Sequence, residues 1–232
     1  MPRYKIVLLD ADNTLFDFNA SEMRAIHAVL RERGYTPDVA TVNTYLQINS
    51  ALWEAFARGE VGQDHLLVER FRRFEQAMGG DHDPERFNID YQKALAANGV
   101  LFPGAEELCR RLAAAGCTLA IVTNGATIAQ KGRFYASALA PLIPYLFISQ
   151  EIGVGKPDPR FFDHVFQALH VTDRSDAVIV GDSLASDILG GNRAGIHTIW
   201  YNPGEVPLTG LARPTYTART FLEIENLICG NL

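Results

Sequence analysis

The sequence contains no hydrophobic run long enough to cross a membrane or to act as a secretory signal. Its first apolar stretch, residues 6–9, is followed at once by Asp10. A membrane helix needs about 20 apolar residues, and the apolar part of a signal peptide about 7–15. We therefore expect a cytoplasmic protein with no membrane partner.

Cysteine is scarce, and positive charge is not in excess. The three cysteines, Cys109, Cys117 and Cys229, have no CxxC spacing, which predicts free thiols in a reducing compartment. The formal net charge is −6, so nothing indicates a nucleic acid polymer as a partner. A small anionic substrate is compatible with this charge, because a few local donors outweigh it.

The chain also lacks internal repeats and low-complexity tracts. Its 232 residues are 47% hydrophobic and 21% charged, which is an ordinary globular composition. This length is enough for one large domain, or for a domain with an insertion, that buries a core without disulfides.

Short apolar runs alternate with helical patterns over most of the chain. Residues 105–115 and the segment that begins at Asp158-Pro159 have helical periodicity, and Thr220 opens a last helix with capping-box spacing. This alternation is typical of an α/β fold with a doubly wound parallel sheet. The predicted strands are residues 6–9, 119–122, 146–148, 178–180 and 196–200.

One segment breaks the alternation. From residue 18 to residue 99 the sequence has helical patterns and no convincing strand. Asn19-Ala-Ser-Glu22 has the spacing of a capping box, Gly34 would end that helix, and further helices are predicted at 52–58 and 65–78. We interpret residues 18–99 as an all-helical cap inserted into an α/β core made of residues 1–17 and 100–232.

Polar residues stand where ligands bind in open α/β sheets, beyond the carboxyl ends of the strands. Each motif alone is a common turn or loop, but all of them in this order and at these places are much rarer. They are Asp10 and Asp12 after the first strand, Thr123-Asn124-Gly125 after the second, Lys156 before the third crossover helix, and Asp182 with Asp187 after the fourth.

The carboxylates predict a hard cation. Asp10, Asp12, Asp182 and Asp187 would converge, and such a cluster is costly without a positive ion. Ligands that are all oxygen select a hard ion, of which Mg²⁺ fits best. Thr123, the neighbouring backbone amides and Lys156 supply donors and positive charge. Together these groups predict a site for a phosphoryl group bridged to the metal.

These motifs resemble the four motifs of the haloacid dehalogenase-like (HAD) superfamily, and the resemblance spans the whole chain. Residues 10–14 are similar to the first motif, Thr123 to the second, Lys156 to the third, and residues 181–187 to the fourth. The helical insert resembles the mobile cap of the superfamily.

The resemblance implies a phosphatase mechanism. Asp10 would attack phosphorus in line and form an aspartyl-phosphate. Asp12 would protonate the leaving oxygen and then deprotonate the water that hydrolyses the intermediate. Thr123 and Asn124 would bind phosphoryl oxygens, and Lys156 would neutralise charge on the phosphoryl group and on Asp10.

The resemblance also implies a ligand set for Mg²⁺. The Asp10 carboxylate, the Asp12 backbone carbonyl and Asp182 would hold the ion, with Asp187 acting through water.

A closer resemblance is to the pyrimidine 5′-nucleotidase branch of the superfamily, the YjjG-like house-cleaning enzymes. Residues 10–18 with Glu22, residues 121–125, residues 186–195 and residues 200–202 carry it. It implies a nucleoside monophosphate as the substrate. Four aromatic residues of the insert are candidates for stacking on a base, although helical spacing more often indicates core positions. They are Trp53, Phe56, Phe71 and Phe74.

Several alternatives stay open at this point. They are a phosphatase for sugar phosphates or phosphoglycolate, a phosphoryl-transferring sugar mutase, a carbon–halogen hydrolase and a catalytically silent binding module. Asp12 argues against the halogen chemistry, which needs no general acid there. The intact set of motif residues argues against a silent module.

Overall fold

The fold is described by a computed structural model over residues 2–230. Six parallel strands form one sheet in the order β3-β2-β1-β4-β5-β6, so the prediction of a doubly wound parallel α/β fold is confirmed. The sixth strand was not predicted, because it has only three residues and lies at the sheet edge. The strands are β1 Ile6–Leu9, β2 Thr118–Thr123, β3 Tyr145–Ile148, β4 Ala177–Gly181, β5 His197–Tyr201 and β6 Tyr216–Ala218.

Alternate residues of the strands point to two separate apolar layers. In β1, Val7 and Leu9 join one buried cluster, whereas Leu8 joins another. Because both faces are covered by helices, the central strands read as continuous hydrophobic runs. The helices after the cap segment are α5 Ala105–Ala114, α6 Thr127–Ala136, α7 Ser149–Ile152, α8 Pro159–Ala168, α9 Leu189–Ala194 and α10 Phe221–Cys229.

Four helices occupy the segment predicted to be a cap, and they have a core of their own. Phe71 and Phe74 are fully buried there against Phe87 and Tyr91, so these two aromatic residues are core positions. The helices are α1 Phe18–Glu32, α2 Val39–Ala57, α3 Gln63–Met78 and α4 Pro84–Ala97.

The start of α1 differs from the prediction. The helix begins at Phe18, and its N-cap is Asp17 rather than Asn19, because the Asp17 carboxylate accepts the Ala20 N–H at 2.9 Å. A carboxylate at this position satisfies an N–H that the first turn leaves without a partner. Gly34 has a φ of +77° just beyond the end of the helix, as the sequence predicts.

The two connections between the core and the cap segment run side by side. The Asp17 N–H donates to Val100 O at 2.8 Å, and the Phe102 N–H donates to Leu15 O at 2.9 Å. Phe16 pairs with Leu101 in an antiparallel bridge. The chain therefore leaves the core and returns to it through one short antiparallel ribbon.

The predictions for cysteines and membrane spans can be compared with the same structure. All three cysteines are free thiols, and Cys109 and Cys117 are buried. Within residues 2–230, no helix combines the length and the apolar character that a membrane span requires.

Candidate active site

The loop after β1 is tight and carries both aspartates of the first motif. The Leu15 and Phe16 N–H groups both donate to Ala11 O, at 3.0 and 2.9 Å. Asn13 has a φ of +57°, a left-handed conformation that asparagine tolerates better than most residues. The loop places Asp10 and Asp12 at the carboxyl edge of the sheet, where the strand order reverses between β1 and β4.

Lys156 lies at the centre of the site and is 3% exposed. Its Nζ donates to Asp10 Oδ1 at 2.6 Å, to Asp187 Oδ1 at 2.6 Å and to Val122 O at 2.7 Å. Burial alone would lower the pKa of Lys156, but the two carboxylates outweigh it and hold that pKa above its ordinary value. The lysine is therefore a fixed positive charge.

Negative charge exceeds positive charge around this lysine. Carboxylate oxygens of Asp10, Asp182 and Asp187 lie within 4.8 Å of one another. Burial, and then the charge of Asp187, raise the pKa of Asp182 to about 7. Burial also raises the pKa of Asp10 well above its ordinary value, although Lys156 opposes the shift. Three carboxylates facing one ammonium group form an oxygen-only donor set that fits a hard divalent cation.

Asp187 makes two contacts that the sequence does not predict. Its carboxylate accepts a hydrogen bond from Lys156 Nζ at 2.6 Å and one from the Ser183 N–H at 3.1 Å. Its action on the metal through water stays a prediction. A Cβ at Gly181 would lie 2.2 Å from Asp187 Oδ2. Glycine at this strand end therefore makes room for the carboxylate.

The Asp12 carboxylate is held by two residues of α6 that sequence reasoning missed. Gln130 Nε2 donates to Asp12 Oδ2 at 2.6 Å, and Arg133 Nη2 lies 2.6 Å from Asp12 Oδ1 in an ion pair. Arg133 is 1% exposed, and its guanidinium group packs against the rings of Phe16 and Phe18. The general-acid candidate thus has its own positive charge, separate from Lys156.

The second motif forms hydrogen bonds within itself and with Lys156 of the third motif. Thr123 is buried, and its Oγ1 accepts the Gly125 N–H at 3.0 Å. The Asn124 side chain accepts the Lys156 N–H and donates to Lys156 O, so it joins the second motif to the third. A Cβ at Gly125 would lie 1.9 Å from Gln130 Nε2, so glycine there lets Gln130 reach Asp12.

Residues at the start of α3, in the segment predicted to be a cap, contact the same loops. Gln63 Nε2 donates to Asn124 O at 2.7 Å, and Ser149 Oγ donates to Gln63 Oε1 at 3.0 Å. Gln150 Nε2 donates to Asp64 Oδ1 at 2.7 Å. The first turn of α3 is therefore tied to the loop that carries the second motif.

A cavity of about 250 Å³ lies between the motif residues and the cap segment. On the cap side, Phe18, Trp53 and Leu95 give it apolar walls. Of the four aromatic candidates for base stacking, only Trp53 lines this cavity. Phe56 contacts the Trp53 ring edge-on and lines a separate depression.

The cap wall also contains a buried polar network. Arg70 is 2% exposed, and it donates to Leu67 O, to Asn49 Oδ1 and to Asn88 Oδ1 at 2.9–3.1 Å. Asn49 in turn donates to Glu22 Oε1 at 2.9 Å, so an amide stands between the cation and the anion. Burial raises the pKa of Glu22.

The structure brings every residue of the predicted site to one cavity. Lining it are Asp10, Asp12, Thr123, Asn124, Lys156, Asp182 and Asp187. The roles assigned to them stay predictions. Gln130 and Arg133 could have been found from position, because α6 begins directly after the second motif and its first turns must face the site.

Comparison with known proteins identifies the family. The model of the haloacid dehalogenase-like hydrolases matches residues 4–195. The chain belongs to this family. It is therefore an enzyme of the hydrolase class.

Relatives over nearly the full length refine the comparison. The chain is 34% identical to pyrimidine 5′-nucleotidase PynA of Streptococcus pneumoniae, over 99% of this chain and 97% of that protein. It is 29% identical to pyrimidine 5′-nucleotidase YjjG of Escherichia coli, over 96% and 97%. The crystal structure of HAD-hydrolase YfnB from Bacillus subtilis, bound to magnesium, matches with a TM-score of 0.90 and 31% identity, over 97% and 99%. The resemblance to YjjG-like nucleotidases is thus confirmed.

Proposed function

We propose that this hydrolase cleaves phosphoric monoesters, with Mg²⁺ as cofactor, and that its substrates are pyrimidine nucleoside 5′-monophosphates. The observation that carries the proposal is the charge arrangement around Asp10. A single buried lysine faces three carboxylates at the carboxyl edge of the sheet, so the site is complete only with a further cation and a dianionic group.

In the first step, Asp10 attacks phosphorus and forms an O–P bond while the bond to the leaving oxygen breaks. Lys156 fixes Asp10 Oδ1 and lowers the repulsion between the carboxylate and the incoming phosphoryl group. Asp12 gives its proton to the leaving oxygen. Gln130 and Arg133 hold the Asp12 carboxyl group in place meanwhile.

In the second step, water attacks phosphorus and gives a proton to Asp12, and the bond between phosphorus and Asp10 breaks. Asp12 is anionic when this step begins, and Arg133 Nη2 lies 2.6 Å from its Oδ1. Enzyme and inorganic phosphate result, and Asp12 is again protonated for the next cycle.

Asp10, the Asp12 backbone carbonyl and Asp182 would hold the Mg²⁺ ion, and Asp187 would act on it through water. When bound, the ion supplies charge neutralisation that lets an anionic substrate approach an anionic nucleophile. In support, the neighbour YfnB was crystallised with magnesium.

Preference for pyrimidine nucleotides is supported by the two nucleotidase relatives and by the cap side of the cavity. Trp53 and Phe18 offer aromatic faces on which a base could stack.

The test is phosphate release from a substrate panel with and without Mg²⁺. The panel contains uridine and thymidine 5′-monophosphates, adenosine and guanosine 5′-monophosphates, phosphoglycolate and a hexose phosphate. We expect the pyrimidine nucleotides to lead in kcat/KM, and excess chelator to abolish release from all of them. A tenfold lead for a purine nucleotide or a sugar phosphate would contradict the nucleotidase proposal, and full activity in chelator would contradict the role of the metal.

A further inference from the structure

The Gln92 side chain lies in the cap wall of the cavity and uses only part of its hydrogen-bonding capacity. It is 3% exposed, and its Nε2 donates to Asn88 Oδ1 at 3.3 Å. Its Oε1 is buried, and no donor within residues 2–230 bonds to it. A buried amide oxygen without a partner is rare in native proteins and costs stability, so its presence in a substrate cavity requires a reason.

The orientation of this amide is fixed by its neighbours. Asn88 Oδ1 also accepts from Arg70 Nη2 at 2.9 Å, and an arginine has donors only. Arg70 is itself held by Leu67 O and Asn49 Oδ1. Asn88 must therefore present its oxygen, and Gln92 must present its NH₂ group to that oxygen. This leaves Gln92 Oε1 as the acceptor that a ligand has to satisfy.

The position of Gln92 indicates which part of a ligand it would contact. The phosphoryl end of a substrate is fixed by Lys156 and Asp10 on the core side, whereas Gln92 belongs to α4 on the cap side of the same cavity. In a nucleoside 5′-monophosphate the base is the part farthest from phosphorus. A base that lies between the apolar walls therefore turns an edge towards the cap wall.

The polar groups at this end match one kind of base edge. Besides the Gln92 acceptor, two buried cations line the cavity, Arg70 of α3 in the cap wall and Arg133 of α6 on the core side. Arg133 forms an ion pair with Asp12 through Nη2, and its Nε and Nη1 have no hydrogen-bond partner in the described part of the chain. Uracil and thymine present a donor, N3–H, between two carbonyl acceptors. Cytosine presents an acceptor at N3, which would face the Gln92 acceptor. The buried acceptor and the positive charges therefore favour uracil and thymine, which present N3–H between two carbonyl oxygens, over cytosine.

We propose that Gln92 is a specificity-determining residue whose amide oxygen accepts a hydrogen bond from N3–H of uracil or thymine. This inference rests on the proposed nucleotidase function and adds the residue that selects among pyrimidines. The arginine side chains place positive potential beside the two carbonyl oxygens of the base.

The experiment compares two substrates in matched enzymes. Uridine 5′-monophosphate carries N3–H, and 3-deazauridine 5′-monophosphate replaces it by C–H without added bulk. In the unaltered enzyme we expect kcat/KM to be at least about tenfold higher for the uridine compound. In Gln92→Met, which keeps the volume and removes the acceptor, this ratio should fall to within about twofold of unity.

Two further variants separate recognition from packing. Gln92→Glu keeps an acceptor on the cavity side, although it loses the donor to Asn88 Oδ1, and it should keep part of the preference for uridine 5′-monophosphate. Gln76→Met changes an exposed glutamine of α3, outside the cavity, and should leave the ratio as in the unaltered enzyme. Loss of the preference in both Gln92 variants would overturn the proposal in favour of a packing role.

The remaining outcomes distinguish this proposal from the proposed function. An unaltered enzyme that hydrolyses uridine 5′-monophosphate, with a ratio that Gln92→Met does not change, overturns the role of Gln92 alone. If Gln92→Met lowered kcat/KM for uridine 5′-monophosphate but not for 3′-deoxyuridine 5′-monophosphate, which lacks the ribose 3′-hydroxyl, Gln92 would contact the ribose, and this result would also overturn its role in base recognition. Absence of activity on every nucleotide, with activity on other phosphate esters, overturns the nucleotidase function itself.

Discussion

The core side and the cap side of the cavity differ in how their polar groups are paired. On the core side, oppositely charged groups form ion pairs with N–O distances of 2.6 Å: Lys156 pairs with Asp10 and Asp187, and Arg133 pairs with Asp12. On the cap side, the buried cation Arg70 contacts only neutral groups, and an amide separates it from Glu22. Apart from Gln92, the remaining cap wall is apolar.

The difference indicates a division between chemistry and selection. Paired charges in a buried site act on any phosphoryl group, whatever is attached to it. Amides and apolar faces do little for bond breaking, but they distinguish leaving groups by hydrogen bonds and shape. Changes on the core side should therefore affect all substrates, and changes on the cap side should affect their ranking.

The largest effect is expected at the nucleophile. Asp10→Asn should lower turnover about 10⁴-fold or more on every substrate, because an amide cannot form the covalent intermediate. The fold should persist, since the change removes one charge from a site with surplus negative charge. Phosphate release and thermal unfolding measure the two effects. Asp81→Asn, at an exposed position, is the control, and substantial turnover by Asp10→Asn would disprove the covalent mechanism.

A smaller effect is expected where Asp12 is held. Arg133→Met should lower kcat about 10–100-fold for nucleotides and less for 4-nitrophenyl phosphate, because an aryl leaving group needs little help from an acid. Lys131→Met changes an exposed residue of the same helix and provides the matched control. Equal losses on both kinds of substrate would mean that Arg133 stabilises the fold and does not assist Asp12 as the general acid.

The surplus negative charge predicts a dependence of stability on pH and metal. Without a cation, burial raises the pKa of Asp182 to about 7, so the folded protein keeps a proton that the unfolded chain loses above about pH 4. Stability therefore falls as the pH rises through this window. Because Mg²⁺ favours the carboxylate form, it should raise the melting temperature more at pH 8 than at pH 5.5. Asp182→Asn should remove most of this difference, and an equal rise at both pH values would refute the explanation.

The smallest effect is expected at the contact between α3 and the second motif. Gln63→Ala removes the hydrogen bonds to Asn124 O and Ser149 Oγ, and each such bond contributes about 0.5–1.5 kcal/mol. We expect KM to rise about three- to tenfold with kcat nearly unchanged, because the cap is held less firmly over the substrate. Steady-state kinetics would measure KM and kcat of Gln63→Ala, with Gln76→Ala, at an exposed position on the same helix, as the control. A loss of kcat as large as that of Asp10→Asn would contradict the division between chemistry on the core side and substrate selection on the cap side.

Much of the core side could be predicted from the sequence because it depends on local pattern. Buried parallel strands are short apolar runs, and the polar residues after them must meet at one edge of the sheet. This reasoning located β1 to β5 within a residue or two and brought Asp10, Thr123, Lys156 and Asp182 together.

What the sequence did not predict depends on contacts between distant segments. Gln130 and Arg133 bind an aspartate more than a hundred residues away. The position of α6 after the second motif indicates that they lie near the site, but no local spacing indicates that their partner is Asp12. The orientation of Gln92 depends on a chain of amides that starts at Arg70. The N-cap of α1 depends on local sequence, but the prediction considered only the capping box that starts at Asn19, whereas the Asp17 carboxylate forms the cap.

The antiparallel ribbon between residues 15–17 and 100–102 has a consequence for engineering. Its two strands end side by side where α1 begins and α4 has ended, so the chain enters and leaves the helical segment at one place, although side chains of α3 also bond to the core loops. A turn of about two to four residues would connect the strands directly and leave the sheet with its helices in place. Exchanging this segment between relatives would need only two splice points, which makes the chain a convenient host for transplanted substrate preferences.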